Sequence, residues 1–144
     1  MLHLLILCHL VRQCDQCKWR HPWEPVEKSL NATELPHAIH HYLTSDGQPL
    51  STTLGFQAER LKPGAVAESR EIWSYVYHCY KGKGRTEIET PSGKMIELEW
   101  GPRDTFAVPA WSKLKHTNTS ETENAYLVAC HDKPFLDLLK LRKT

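Results

Sequence analysis

The chain has 144 residues, enough for one domain with a substantial core. Its formal net charge is +1, with 18 Lys and Arg interspersed among 17 Asp and Glu. That balance offers no basic face for nucleic acid and no acidic tail, and 40% hydrophobic with 24% charged residues excludes a disordered or fibrous chain.

The opening run MLHLLILCHLVRQC is the only long apolar stretch and is too short to cross a bilayer. It has neither a basic start nor a small-residue cleavage site. Residues 1–21 therefore read as an N-terminal extension, and the expected location is cytoplasmic, with secretion through a signal-peptide reading of this run as the alternative. Cys14 and Cys17 have the spacing of zinc sites and redox pairs, but no second pair follows. Cys79 and Cys130 fall in strand-like runs and read as buried thiols.

PWEPVEKSL, residues 22–30, predicts a short helix with Pro25 near its start. HAIHH, residues 37–41, reads as a loop whose histidine spacing matches no defined metal site. Residues 51–61 alternate, with Leu54 and Phe56 on one face and Gln57 and Glu59 on the other. Strands follow at 72–80, 85–90, 94–100, 105–111 and 125–130, separated by KGKG, PSG and GPRD turns. Asp132 is a predicted N-cap for a last helix, KPFLDLLKLRK, whose Phe135, Leu138, Leu139 and Leu141 should face the body. Short strands joined by turns predict an all-β sandwich or jelly roll, not a parallel α/β sheet.

Two stretches read together, LKPGAVAESREIWSYVYHCYKGKGRTEI and WGPRDTFAVPAWSKLKHTN, resemble the cupin superfamily. Within it, PWEPVEKSL, GQPLSTTLGFQAERL, VYHCYKGKG, VPAW with the later HTN, HDKP and LLKLRK resemble the second cupin half of the gentisate 1,2-dioxygenases. The resemblance implies a single cupin domain over residues 22–144, a double-sheet jelly-roll barrel that pairs as a homodimer. Cupins carry His-x-His, a Glu shortly after and a later His, and the gentisate group holds Fe(II) with the histidines. Those positions fall here on Ser69, Glu71, Tyr75 and Leu114, with Asn118 at the motif's Asn. Non-haem Fe(II) takes two His and a carboxylate, or three His. Glu71 alone is a donor of suitable type, so neither metal nor other cofactor is expected.

On the implied barrel, strand alternation turns Ser69, Glu71, Trp73, Tyr75 and Tyr77 inward. Leu114, His116 and Asn118 face them, and Trp111 stands at the mouth. Glu71 and His116 are the candidate base and acid, with burial bringing their pKa values together. Tyr75, with an ordinary pKa of about 10, is the candidate catalytic hydrogen-bond donor. Ser69, Trp73, Tyr77, Trp111, Leu114 and Asn118 are candidate substrate contacts. Plainer roles stand beside these: His116 as a hydrogen-bonded relic, Glu71 as a rim ion pair, the tyrosines as wall. The expected function is a metal-independent lyase or isomerase moving protons on a small aromatic or polyketide-like molecule. An Fe(II) ring-cleaving dioxygenase of gentisate type and a non-catalytic small-molecule-binding cupin stay open. No nucleic acid or membrane partner is expected.

Overall fold

The computed structural model describes residues 20–141. Helix α1 (Trp23–Asn31) opens the described chain. Pro22 stands at its N-cap and Pro25 in its first turn, where no intrahelical N–H is required. Nine strands follow: β1 (His37–His41), β2 (Gly55–Leu61), β3 (Val66–Arg70), β4 (Tyr75–Lys81), β5 (Gly84–Glu89), β6 (Met95–Trp100), β7 (Thr105–Val108), β8 (Lys113–Asn118) and β9 (Ala125–His131). Helix α2 (Lys133–Leu138) comes last.

The strands form two antiparallel sheets, in the orders β1-β2-β9-β4-β7 and β3-β8-β5-β6. The fold is the all-β double-sheet jelly roll with two helices that the sequence predicts. The main core lies between the sheets. Tyr75, Tyr77, Cys79 and Leu127 of the first meet Ala67, Ile88, Trp100 and Leu114 of the second.

The first sheet is covered on its outer side too. Val26 and Leu30, four apart on α1 and so on one face, pack on Ala38, Ala58 and Tyr126. Strand β2 is therefore enclosed on both faces: Glu59 points between the sheets and Arg60 points out, yet both are buried. Arg60 donates to the carbonyls of Thr33 (3.2 Å) and Leu35 (2.5 Å), tying the α1–β1 connection to the sheet. The alternation expected in residues 51–61 is present, but the polar pair Gln57 and Glu59 occupies the barrel interior.

Other expectations are corrected. HAIHH is not a loop; it forms β1, an edge strand paired with β2 from His37↔Leu61 to His41↔Gln57. The strand expected from residue 72 starts at Tyr75, because residues 71–74 carry the chain from one sheet to the other. There the Ser74 N–H donates to Asp132 Oδ1 (2.8 Å), so Asp132 makes no side-chain cap on α2. The apolar residues Phe135, Leu138, Leu139 and Leu141 do not face the body; they are 41–62% exposed. The reason is geometric: α2 is six residues long, follows β9 directly, and buries only Pro134. Cys79 is buried and Cys130 half-buried, both as free thiols. The apolar opening run and the Cys14/Cys17 pair lie outside the described residues. Among the described residues no helix is long and apolar enough to cross a membrane.

Candidate functional site

A cavity of about 400 Å³ lies between the sheets. Its floor is Glu59, 3% exposed, on β2. Three donors surround the carboxylate. His37 Nε2 lies 2.7 Å from Oε2, Gln57 Nε2 donates to Oε1 (2.6 Å), and the Tyr77 hydroxyl donates to Oε1 at 3.4 Å. Burial alone would raise the Glu59 pKa. The His37 hydrogen bond, the charges of His116 and His37, and the Gln57 hydrogen bond outweigh it and hold the carboxyl below its ordinary value. Glu59 is thus a buried carboxylate that stays ionised, compensated by donors rather than by a lysine or arginine.

His116, 1% exposed, reaches the cavity from β8. Its Nδ1 lies 2.7 Å from Thr86 Oγ1, which also accepts from Trp100 Nε1 at 2.9 Å. Its Nε2 is buried without a hydrogen-bond partner among the described residues. Burial pushes the imidazole pKa down to about 4, against the pull of Glu59, so the ring is neutral at physiological pH. Tyr77 packs edge-on against it, with centroids 4.6 Å apart, and stacks on Tyr75 at 5.0 Å. Burial pushes the Tyr75 hydroxyl up to about 12, and burial with the Glu59 charge pushes Tyr77 well above 10. Both phenols keep their protons, and Tyr77 donates its own to Glu59.

At the open side, His131 is 8% exposed and its pKa is pushed down to about 4 by burial and the Lys133 charge. The ring lies across Gly55 on the neighbouring strand. A Cβ there would sit 2.1 Å from His131 Cε1, so only glycine admits this approach. The Lys133 ammonium stands 5.2 Å above the Trp73 ring at the rim.

The structure brings together Ser69, Glu71, Trp73, Tyr75, Tyr77, Leu114 and His116 around this one cavity. It does not bring in the other two candidates. Trp111 has left-handed backbone (φ +64), donates its N–H to the Glu71 carbonyl (3.1 Å), and leaves its ring 60% exposed outside the cavity. Asn118 is buried as a loop clamp. Its Nδ2 donates to the carbonyls of Leu61, Lys62 and Glu123, and its Oδ1 accepts from the Ser120 N–H. The expected convergence of acid and base pKa values is corrected as well. His116 is driven far below its ordinary value, and Tyr75 stands at about 12, not at 10.

Sequence reasoning missed Glu59, Gln57, His37 and His131, the most polar part of the lining. The alternation of β2 placed Gln57 and Glu59 on one face, but nothing in the pattern assigned that face to the cavity. The available signal was β9: AYLVACH is apolar on both faces, as only a strand covered on both sides can be.

The cupin metal positions do converge in space. Ser69 and Leu114 are direct partners across β3 and β8, and Glu71 and Tyr75 line the same cavity. They present a hydroxyl, a carboxylate, a protonated phenol and a hydrocarbon, which is no ligand set for Fe(II). Among the described residues no three His, Cys, Asp or Glu side chains gather into a group able to hold a metal ion. The residues present do not fit the iron.

Two antiparallel sheets closed over a central cavity, with the motif positions meeting inside it, define a protein of cupin fold. No family model matches the chain. Its sequence is 29% identical over 132 residues to a 1-hydroxy-2-naphthoate 1,2-dioxygenase of Nocardioides sp. (strain KP7), covering 85% of this chain and 32% of that protein. It is 28% identical over 130 residues to a 5-aminosalicylate 1,2-dioxygenase of Comamonas sp., covering 83% and 33%. The salicylate 1,2-dioxygenase structure from Pseudaminobacter salicylatoxidans superposes with a TM-score of 0.71 at 23% identity, over 85% of this chain and 37% of that one. A recombinant oxalate oxidase shares the fold at a TM-score of 0.61 and 16% identity, over 72% and 54%. The chain spans about a third of the length of the curated relatives it matches.

The sequence relatives are 1,2-dioxygenases of the gentisate and salicylate type, as the motif resemblance implied. They overturn the expected function. Both relatives are 1,2-dioxygenases by name, so the metal-independent lyase or isomerase gives way to the dioxygenase alternative. The expectation of no cofactor is overturned with it, because the gentisate-group resemblance that these relatives support implies Fe(II).

Proposed function

We propose that the chain is a cupin unit of an Fe(II)-dependent dioxygenase that opens the ring of an ortho-hydroxy aromatic carboxylate. The observation that carries this reading is the likeness to two such enzymes over 83–85% of the chain. The substrates in the relatives' names, 1-hydroxy-2-naphthoate and 5-aminosalicylate, are flat rings with a hydroxyl beside a carboxylate. The cavity offers matching surfaces: stacked Tyr75 and Tyr77 for the ring, buried polar groups within, and Lys133 at the rim for an anion. Ser69, Glu71, Tyr75 and Leu114 are not the iron ligands. We place the iron on residues of the working assembly outside these four positions, and this barrel supplies a shaped compartment lined by aromatic and polar side chains. The assembly we propose contains two copies of this chain and works in the cytoplasm.

The test is oxygen uptake by the protein purified from its native source with the chains it carries. Fe(II) is supplied, with 1-hydroxy-2-naphthoate, 5-aminosalicylate and salicylate in turn. Consumption of one O₂ per ring lost, read from the aromatic absorbance, is expected with at least one acid. Absence of uptake with all three would overturn the reading.

A further inference from the structure

Three side chains on three strands of the second sheet form a line of hydrogen bonds that ends in the cavity. Trp100, at the end of β6, has an indole N–H that can only donate, and it donates to Thr86 Oγ1 on β5. Thr86 is 0% exposed, and its hydroxyl has a single proton to place. His116, its direct partner across β5 and β8, presents Nδ1 at 2.7 Å. One of the Thr86 lone pairs is taken by the indole, and Nδ1 is the acceptor that the structure gives this hydroxyl. Donation from Thr86 to Nδ1 gives that hydroxyl proton an acceptor, and it leaves the proton of a neutral imidazole on Nε2. That nitrogen lies buried in the cavity wall without a hydrogen-bond partner among the described residues.

The local packing supports this arrangement. Gly84 lies directly opposite Trp100, and a Cβ there would stand 2.4 Å from the indole ring. The ring folds across that glycine to reach Thr86. On the other side the Tyr77 ring fixes the imidazole plane. Tyr77 also touches Glu59, so a donor (His116 Nε2–H) and an acceptor (the Glu59 carboxylate) flank one aromatic ring. A carboxylate has about four acceptor positions, and three donors are seen on Glu59. A ligand hydroxyl seated beside the Tyr77 ring would meet both needs, accepting from His116 and donating to Glu59. A ligand carboxylate at the same depth would face a like charge and is better placed at Lys133.

We propose that Trp100 and Thr86 are positioning residues that fix His116 as a neutral Nε2–H donor, and that this donor and Glu59 bind the phenolic hydroxyl of a planar aromatic acid inside the barrel without a metal. The aromatic nature of the ligand rests on the dioxygenase reading. The state of His116 does not.

Two measurements test it. In ¹⁵N-histidine spectra at neutral pH, His116 should show its proton on Nε2. Thr86→Val should disturb that signature and Thr86→Ser should restore it. A proton on Nδ1, a charged ring, or a signature indifferent to Thr86→Val overturns the relay. Titration calorimetry in excess chelator then compares 1-hydroxy-2-naphthoate with 2-naphthoate, which lacks the hydroxyl. The hydroxy acid should bind at least ~10-fold more tightly, and His116→Phe should erase the difference while circular dichroism is unchanged. Equal affinities, or binding of the hydroxy acid only when Fe(II) is added, overturn the site. Ring opening lost with this binding intact would sink the dioxygenase reading alone; binding lost with ring opening intact would sink this proposal alone.

Discussion

At the scale of single residues, the cavity stores its chemistry in groups held away from their ordinary ionisation. His116 and His131 both titrate at about 4, against 6.5 for a free imidazole. Their folded-state values are depressed, so the unfolded chain takes up protons first as pH falls. Stability is complete above 6.5 and is lost between 6.5 and 4. The buried His116 removes on the order of 2 kcal/mol on going from pH 7 to pH 5, and His131, at the open side and screened by solvent, removes less. Glu59 is a depressed acid, and its contribution holds above about 4.5 and is lost at lower pH. Urea midpoints should therefore fall steeply from pH 7 to pH 5, and His116→Phe should flatten that slope. A pH-independent midpoint in the wild-type protein would show that the two rings are not buried as neutral groups. His116 was legible in the sequence because β8 alternates Lys, Leu, Lys, His with apolar Leu114 marking the inner face. Glu59 was not, because a carboxylate is placed outside by default. It sits inside because His37, Gln57 and Tyr77 supply three donors, two of them from other strands, 22 and 18 residues away.

At the scale of elements, strands with strong β-formers were legible. Those made by their neighbours were not. Tyr75–Lys81 is aromatic and β-branched and reads as a strand unaided. His37–His41 has three histidines in five residues, and it becomes β1 because β2 offers an open edge and α1 needs Ala38 under Val26 and Leu30. Helix α2 was legible as a helix, but its surroundings depend on the direct β9–α2 junction. The motif arithmetic across β3 and β8 yields a sharper test. Ser69 and Leu114 are direct partners, and side chains so paired on one face stand about 4.5–5.5 Å apart at Cβ. Glu71 lines the same cavity, with its carbonyl held by the Trp111 N–H. If the barrel keeps cupin geometry while carrying other side chains, three substitutions should restore a three-histidine site. The triple variant Ser69→His, Glu71→His, Leu114→His should retain about one Co(II) per chain after desalting, with the visible bands of a nitrogen-ligated ion. No single variant should do so. A triple variant that folds and still holds no cobalt would mean that the backbone around β3 has left the family's geometry.

At the scale of the whole molecule, the barrel is closed on most sides but exposes apolar surface at its C-terminal end. Phe135 is 41% exposed, Leu138 62%, Leu139 48% and Leu141 58%, all within seven residues of chain. Contiguous apolar surface of this kind marks an association site more often than a bare monomer face. The first sheet also ends in β1, whose outer edge carries no strand partner among the described residues and whose Ile39 is 46% exposed. The homodimer we propose would cover the α2 face with the same face of a second copy, as twofold pairing requires. Light scattering at micromolar concentration should then give a mass near twice 16.6 kDa. Leu138→Glu combined with Leu139→Glu places charge in the middle of that face without touching the cavity. It should return the mass to one chain while the affinity for 1-hydroxy-2-naphthoate and the circular dichroism stay as they were. A wild-type mass of one chain would remove the homodimer, and a double variant that stays dimeric would move the interface away from α2.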